Sequence, residues 1–408
     1  MRLRVALLAS CSASIAAVVA STSLAASGDL STRLTKTLRS PNLSLERTSA
    51  VAVDARTGTV LFAHNETRPV IPASNEKLPV AWAALTRLGT GYRLTTEVLG
   101  RGSRVGATWD GDLFLRGSGD PTLVTADIAR LAGAIRASGI RRITGWIRGD
   151  ESAFDSERAG VGWKASFLGI ESPPLSALVV DRARGWPGHS PPLLAATALR
   201  DALGARGVAI DGPAGLGKAP ADAQRLAIDR SPTLATIART MNRYSDNFTA
   251  EMLLKHLGTL EGEVGTSERG SAIVVAEMKA AGIPMQGVRI VDGSGLSSLN
   301  RLTASALVAV IRAGLANPRI REAFLASFSV AGRNGTLRMR LPGLGVRGKT
   351  GTTSLACSLS GLVNEAVVFA VLQNGSPVAF WPARIAQDRF VTVLARSAYA
   401  RTTASPSG

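Results

Sequence analysis

Three short clusters in this chain carry residue types that could do chemistry together. The first is Ser74-Asn-Glu-Lys77, at the start of a helical pattern that runs to Leu88 and stops at Gly89. Residues i and i+3 share a helix face, so this spacing sets the Lys77 amine beside the Ser74 hydroxyl. A serine is a weak nucleophile until a base takes its proton, and a lysine can be that base if burial lowers its pKa. The second is Ser245-Asp-Asn247, between two helical patterns. Ser245 can relay a proton to a leaving group, and Asn247 can hydrogen-bond a substrate amide. The third is Lys349-Thr-Gly351-Thr352, entering a strand pattern. Its lysine and hydroxyls suit a carboxylate. Gly351 permits close approach to the strand backbone, and the strand edge can take an extended substrate and offer an oxyanion N–H.

Each cluster alone has an ordinary structural reading: a helix start with a solvated lysine, a helix N-cap, a turn into a core strand. The ordered set, each member on the element type it needs, is the argument for an active-site serine. Gly343 to Thr350 also matches the phosphate-loop pattern G-x-x-x-x-G-K-T. That loop needs a helix after the lysine, and Thr352 to Leu362 reads as an extended strand.

The elements that must position these clusters are split along the chain. Ser49–Asp54 and Thr59–Phe62 read as a hairpin around Arg56-Thr-Gly58. Short strands, glycine turns and one helix near Leu123–Ala137 follow. Gly185–Pro192 is rich in proline and glycine and reads as a boundary loop. Helical patterns return over 193–205, 231–242, 247–257, 265–281 and 303–315. Strands are expected over 353–364 and 366–373, and a last helix over 382–398. The fold class expected is α/β (α+β), an antiparallel sheet sandwiched by helices, with the first hairpin and the last strands pairing across one inserted α+β domain. The boundaries expected are 26–97 plus 192–402 for the main domain, 98–191 for the insertion, and 403–408 for a disordered tail.

Residues 1–25 are expected to be a secretory signal peptide: Arg2 and Arg4, an apolar stretch from Val5 to Ala20, then Ser23-Leu-Ala25 as a small-x-small cleavage site. A membrane-anchoring helix, or lipid attachment at Cys11, are the competing uses of that segment. Beyond it no stretch is long enough to span a membrane. The formal charge is +17, mostly scattered arginine, which either solvates the surface or attracts an anionic wall polymer or lipid. Aromatic residues make up 5% of the chain, too few for a base-stacking nucleic-acid binder. Two cysteines, Cys11 and Cys357, and three scattered histidines give no disulfide framework, no metal site and no Ser-His-Asp triad. Cys357 reads as a small core residue.

The three clusters are the set found in β-lactamases and penicillin-binding proteins. With Gly111–Leu123, Met241–Lys255, Asp292-Gly-Ser-Gly-Leu-Ser297 with Asn300, and Val330–Leu337, the chain resembles the class C low-molecular-mass penicillin-binding proteins over nearly its whole mature length. These are D-alanyl-D-alanine carboxypeptidase/endopeptidases of the penicillin-binding protein 4 type. The resemblance implies a transpeptidase/β-lactamase-like domain interrupted between the first two clusters. It implies that Ser74 attacks the carbonyl of the penultimate D-Ala of a peptidoglycan stem peptide while Lys77 takes its proton. It implies an oxyanion hole from the Ser74 and Thr352 N–H groups, and proton transfer assisted by Ser245 and Lys349. Asn247 would bind the substrate amide, and Thr350 and Thr352 its carboxylate. Water would then release the acyl group, and β-lactams would acylate Ser74. No metal or organic cofactor is called for.

The remaining family-like segments read as structure: Asp292-Gly-Ser-Gly as a tight turn, Asp120-Pro121 as another. Two departures stand out. The 181–192 stretch is short where larger members carry a further inserted domain. Pro79 falls early in the Ser74 helix and predicts a kink or a shifted helix start. A β-lactamase or esterase on the same fold would need a water-activating glutamate, and no matching motif lies between the first two clusters. A basic wall-binding protein with a vestigial site would not need all three clusters intact.

Overall fold

A computed structural model describes residues 29–397. The expected signal peptide, Cys11 and the expected tail therefore lie outside the described residues. A helix over 29–38 (α1) leads into the hairpin β1 (Thr48–Asp54) and β2 (Val60–His64). The helix α2 (Lys77–Leu88) follows.

The chain then leaves for a second layer: β3 (Thr95–Val105), β4 (Thr108–Gly117), α3 (Thr125–Ala137), β5 (Arg142–Ile143) and β6 (Ile147–Asp150). A long irregular stretch leads to α4 (Pro191–Gly204), β7 (Ala209–Ile210), β8 (Ala214–Leu216) and β9 (Gln224–Arg230). It returns through α5 (Leu234–Tyr244), α6 (Asn247–Leu257), α7 (Ser267–Ala280), α8 (Ala304–Ala316) and α9 (Arg321–Ser327). The chain closes with β10 (Ser329–Val330), β11 (Val346–Thr352), β12 (Ala356–Val363), β13 (Val367–Asn374) and α10 (Phe380–Arg396).

The main sheet has the order β10-β11-β12-β13-β1-β2. β1 pairs antiparallel with β13, Thr48 opposite Gln373 and Asp54 opposite Val367, so the two ends of the chain meet across the insertion as expected. Side chains alternate across a sheet, and here both faces are covered. Val51, Val53, Val368, Ala370 and Leu372 pack with α2 and α5–α8, while Ala50, Ala52, Val367, Phe369 and Val371 pack with α1 and α10. That is why β13 reads as an apolar run from Val367 to Leu372.

The second sheet corrects the expected domain boundary. Its order is β7-β5-β4-β3-β9, with β6 between β4 and β8. The insertion thus runs from Thr95 to Arg230, not from 98 to 191. Ala195, Ala196, Leu199 and Leu203 of α4 share one core with Trp109, Ile128 and Leu131. The prolines at the boundary belong to a helix start: Pro191 and Pro192 occupy the first turn of α4, where a missing N–H is not needed. Composition marked a loop there, and the loop is internal to the insertion.

Other expectations on local structure match. Asp120 Oδ1 accepts from the Thr122 N–H and Oγ1 at 2.8 and 2.6 Å, a side-chain turn. Cys357 is buried in β12. The segment after Lys349 is strand, not helix, which removes the phosphate-loop reading. Ala73–Glu76 forms a 3-10 turn and the α-helix begins at Lys77, so Pro79 falls in the first turn of α2 and breaks no bond. Among the described residues no helix is long and apolar enough to cross a membrane.

The closing helix is pinned by an edge-to-face pair, Phe62 on β2 against Phe390 on α10, 5.3 Å between centroids. Truncating the fully buried Phe390 to alanine is expected to lower stability by about 3–5 kcal/mol in urea unfolding. A loss below about 1 kcal/mol would mean that α10 is not part of the core.

Candidate active site

Lys77 is fully buried at the first turn of α2 and meets three oxygens. Its Nζ lies 3.0 Å from Ser74 Oγ, 2.8 Å from Asn247 Oδ1 and 2.6 Å from the Ser294 carbonyl. An amide oxygen and a backbone carbonyl can only accept. A neutral Lys77 therefore spends both N–H bonds on Asn247 and Ser294, and its lone pair is left for the Ser74 hydroxyl. Burial lowers the Lys77 pKa to about 8, while Asp292, Glu251, Asp246 and Glu76 pull the other way.

The second and third clusters meet as well. Lys349 Nζ lies 2.8 Å from Ser245 Oγ and 2.7 Å from the Thr350 carbonyl. Burial, then the charge of Lys77, holds the Lys349 pKa well below its ordinary value. Ser245 has φ 58°, a left-handed conformation rare outside glycine, which ends α5 and turns its hydroxyl toward Lys349. Asp246 then caps α6, accepting from the Thr249 N–H at 3.1 Å, so Asn247 is the first helical residue. The Thr350 hydroxyl donates to Thr336 Oγ1 at 2.7 Å. Thr352 is exposed at the end of β11.

Gly351 also meets a constraint within the fold. A Cβ there would sit 2.3 Å from Ser358 Oγ and 2.8 Å from the Ser74 nitrogen. The glycine thus lets β11 close on the Ser74 turn itself. Ser358 Oγ donates to the Pro72 carbonyl at 2.7 Å and accepts from Asn75 Nδ2, tying the same turn to β12. β10 pairs only with Arg347 and Gly348, so among the described residues no strand pairs with the outer edge of Lys349–Thr352. An extended peptide could add there, beside Ser74.

Sequence reasoning missed several participants. The Asp292 loop is more than a turn, because it supplies the Ser294 carbonyl to Lys77. Gly295, at φ 81°, would place a Cβ 1.9 Å from the Ala73 carbonyl, so the loop presses on the Ser74 turn. Asp292 is buried and accepts from Gly295 N at 2.9 Å, Ser297 N at 2.8 Å and Trp163 Nε1 at 2.9 Å. Asn247 Nδ2 donates to the Glu171 carbonyl at 3.0 Å, a partner supplied by the insertion. The Asp292 segment with Asn300 was visible as a motif, but a carbonyl leaves no side-chain signature.

Gly351→Ala tests the closeness of β11 to the Ser74 turn. It is expected to lower stability by about 1–3 kcal/mol, read by thermal or urea unfolding. An unchanged unfolding midpoint would mean the strand and the turn are not in contact.

The chain matches the model of the D-Ala-D-Ala carboxypeptidase 3 (S13) family over residues 30–187 and 188–396. It is 29% identical to the D-alanyl-D-alanine carboxypeptidase of Actinomadura sp. strain R39, covering 83% of this chain and 79% of that one. It is 30% identical to the carboxypeptidase DacB of Mycolicibacterium smegmatis, covering 85% and 80%. In structure it is similar to penicillin binding protein 4 of Haemophilus influenzae, with TM-score 0.79 at 21% identity over 90% of this chain and 99% of that one. The complex of that protein with a β-lactam gives TM-score 0.71 at 20% identity, over 90% and 99%. The family match spans both sheets and all three clusters, and the chain belongs to the D-Ala-D-Ala carboxypeptidase 3 (S13) family.

Proposed function

We propose that this chain is an exported D-alanyl-D-alanine carboxypeptidase/endopeptidase that acts on peptidoglycan stem peptides through an ester on Ser74. The observation that carries this reading is the Lys77 amine, held by two obligate acceptors with its third direction on Ser74 Oγ at 3.0 Å.

Neutral Lys77 takes the Ser74 proton as Oγ bonds the penultimate D-Ala carbonyl carbon. The tetrahedral oxyanion is held by the N–H groups of Ser74 and Thr352. Its collapse breaks the C–N bond, and the departing amine takes the proton that Lys77 accepted, passed on through Ser245 and Lys349, which leaves Lys77 neutral again. Water then attacks the ester and gives a proton to Lys77, which hands it to Ser74 Oγ as the ester C–O bond breaks. The peptide lies along the open edge of Lys349–Thr352, its terminal carboxylate near Lys349, Thr350 and Thr352. Asn247 keeps Lys77 aligned, and on substrate entry its Nδ2 exchanges Glu171 for the substrate amide. A β-lactam presents the same amide and carboxylate, and its opened ring stays attached to Ser74.

Peptidoglycan as substrate places the work outside the cytoplasm. The formal charge of +17 would draw the protein toward anionic wall polymers or lipid surfaces. Neither the mechanism nor the buried lysine pair requires a cofactor.

Labelling with a fluorescent penicillin, beside Ser74→Ala, tests the nucleophile. The wild type is expected to keep a covalent label and to release D-Ala from a stem pentapeptide. The variant should take no label and lose at least about a thousandfold in D-Ala release. Equal labelling of both would place the nucleophile elsewhere. Label that forms and clears within seconds would make the protein a β-lactamase.

A further inference from the structure

The Ser294 carbonyl can steer Lys77 only if the loop that carries it is fixed. Ser294 N lies 2.7 Å from Glu251 Oε1, and Gly293 N lies 3.0 Å from the same oxygen. Glu251 is fully buried on α6, four residues after Asn247 and so on the same helix face. One helix face thus sets both obligate acceptors of Lys77: Asn247 directly, and the Ser294 carbonyl through the peptide units Glu251 holds.

We propose that Glu251 is a positioning residue for Lys77, acting through the Gly293 and Ser294 N–H groups to hold the Ser294 carbonyl at the amine. This rests on the reading of Lys77 as the base for Ser74. A side-chain oxygen accepting two adjacent backbone N–H groups fixes the peptide between them, and so anchors the Gly293 side of the unit that carries the Ser294 carbonyl. Gly293 is confined on the same side: a Cβ there would lie 2.6 Å from the Ala250 carbonyl on α6. Asp292 fixes the other end of the loop, through Ser297 N and Gly295 N. Without Glu251 the peptide unit that carries the Ser294 carbonyl is held only through its Gly295 N–H, by Asp292, its aim at the amine loosens, and the lone pair wanders from Ser74. The buried groups whose charges act on this pair are Glu76 and Asp292, with Lys77 itself. Burial, then the charge of Asp292, raises the Glu251 pKa to about 8. With the proton on Oε2, Oε1 still accepts from the loop.

The test compares Glu251→Gln, which keeps one acceptor oxygen, with Glu251→Met, which keeps the volume and removes the acceptor. Acylation by a fluorescent penicillin is followed at single turnover, separating the non-covalent dissociation constant from the acylation rate constant. E251Q is expected to retain the rate constant within about threefold, and E251M to lose about 10- to 100-fold, with the dissociation constant unchanged in both. Melting temperatures establish that each is folded. If E251M does not fold, Glu251→Asp replaces it, withdrawing the oxygen by one methylene while keeping the charge, with the same loss expected. Full acylation in E251M or E251D overturns the proposal. So does an equal fall in E251Q, because charge rather than the hydrogen bonds would then be responsible. An unlabelled wild type would instead overturn the reading of Ser74 on which this rests.

Discussion

A fully buried lysine amine with only two obligate acceptors in reach is the constraint that orders this molecule. Taking Lys77 out of water disfavours its charged form, which is what a base for serine needs at near-neutral pH. Burial alone would leave the amine free to turn. Asn247 and the Ser294 carbonyl remove that freedom, and they come from a helix start and a loop far apart in sequence. The nearby carboxylates keep the pKa from falling further. Lys349 faces the same desolvation and feels Lys77 as a like charge, so protonating both lysines together is opposed.

The layers of the fold follow from the need to bury that amine. α2 runs through the core among α5–α8, with α8 against β1 and β13, and this packing keeps water from the first turn that carries Lys77. The sheet delivers β11 against the Ser74 turn, and only glycine at 351 permits the approach. The insertion closes the third side. Its irregular stretch packs Phe154, Leu175 and Val179 on Phe248 and Met252 of α6. From there it sends the Trp163 N–H to Asp292 and the Glu171 carbonyl to Asn247. The second sheet is thus a platform for a strap that touches two supports of Lys77.

What the sequence made legible were features with a side-chain signature and a local period. The serine–lysine pair needed only a helix spacing. The pairing of β1 with β13 needed only apolar runs at both ends of the chain. The end of the insertion was misplaced because Pro191 and Pro192 look alike whether they end a domain or begin a helix, and only the shared core of α3 and α4 decides. The Ser294 carbonyl was not legible, because a backbone oxygen carries no residue type. Glu251 stood in a recognisable segment, yet its role depends on a loop more than forty residues away meeting α6. Asn247 stood in a readable cluster, but its contact with the insertion depends on a strap with no regular secondary structure to foresee.

The most direct measurement is the pH dependence of the second-order rate of Ser74 acylation by a penicillin, taken on free enzyme. The penicillin has no group that titrates near neutrality, so the profile reports the protein. If Lys77 must lose its proton to act, the rate rises about tenfold per pH unit on the acid side and levels off past a midpoint near the Lys77 pKa of about 8. A rate that stays flat between about pH 6 and about pH 9 would contradict this, as would a midpoint near the ordinary lysine value of 10.5. Either would mean that Lys77 is not the buried, neutral base on which the site is built.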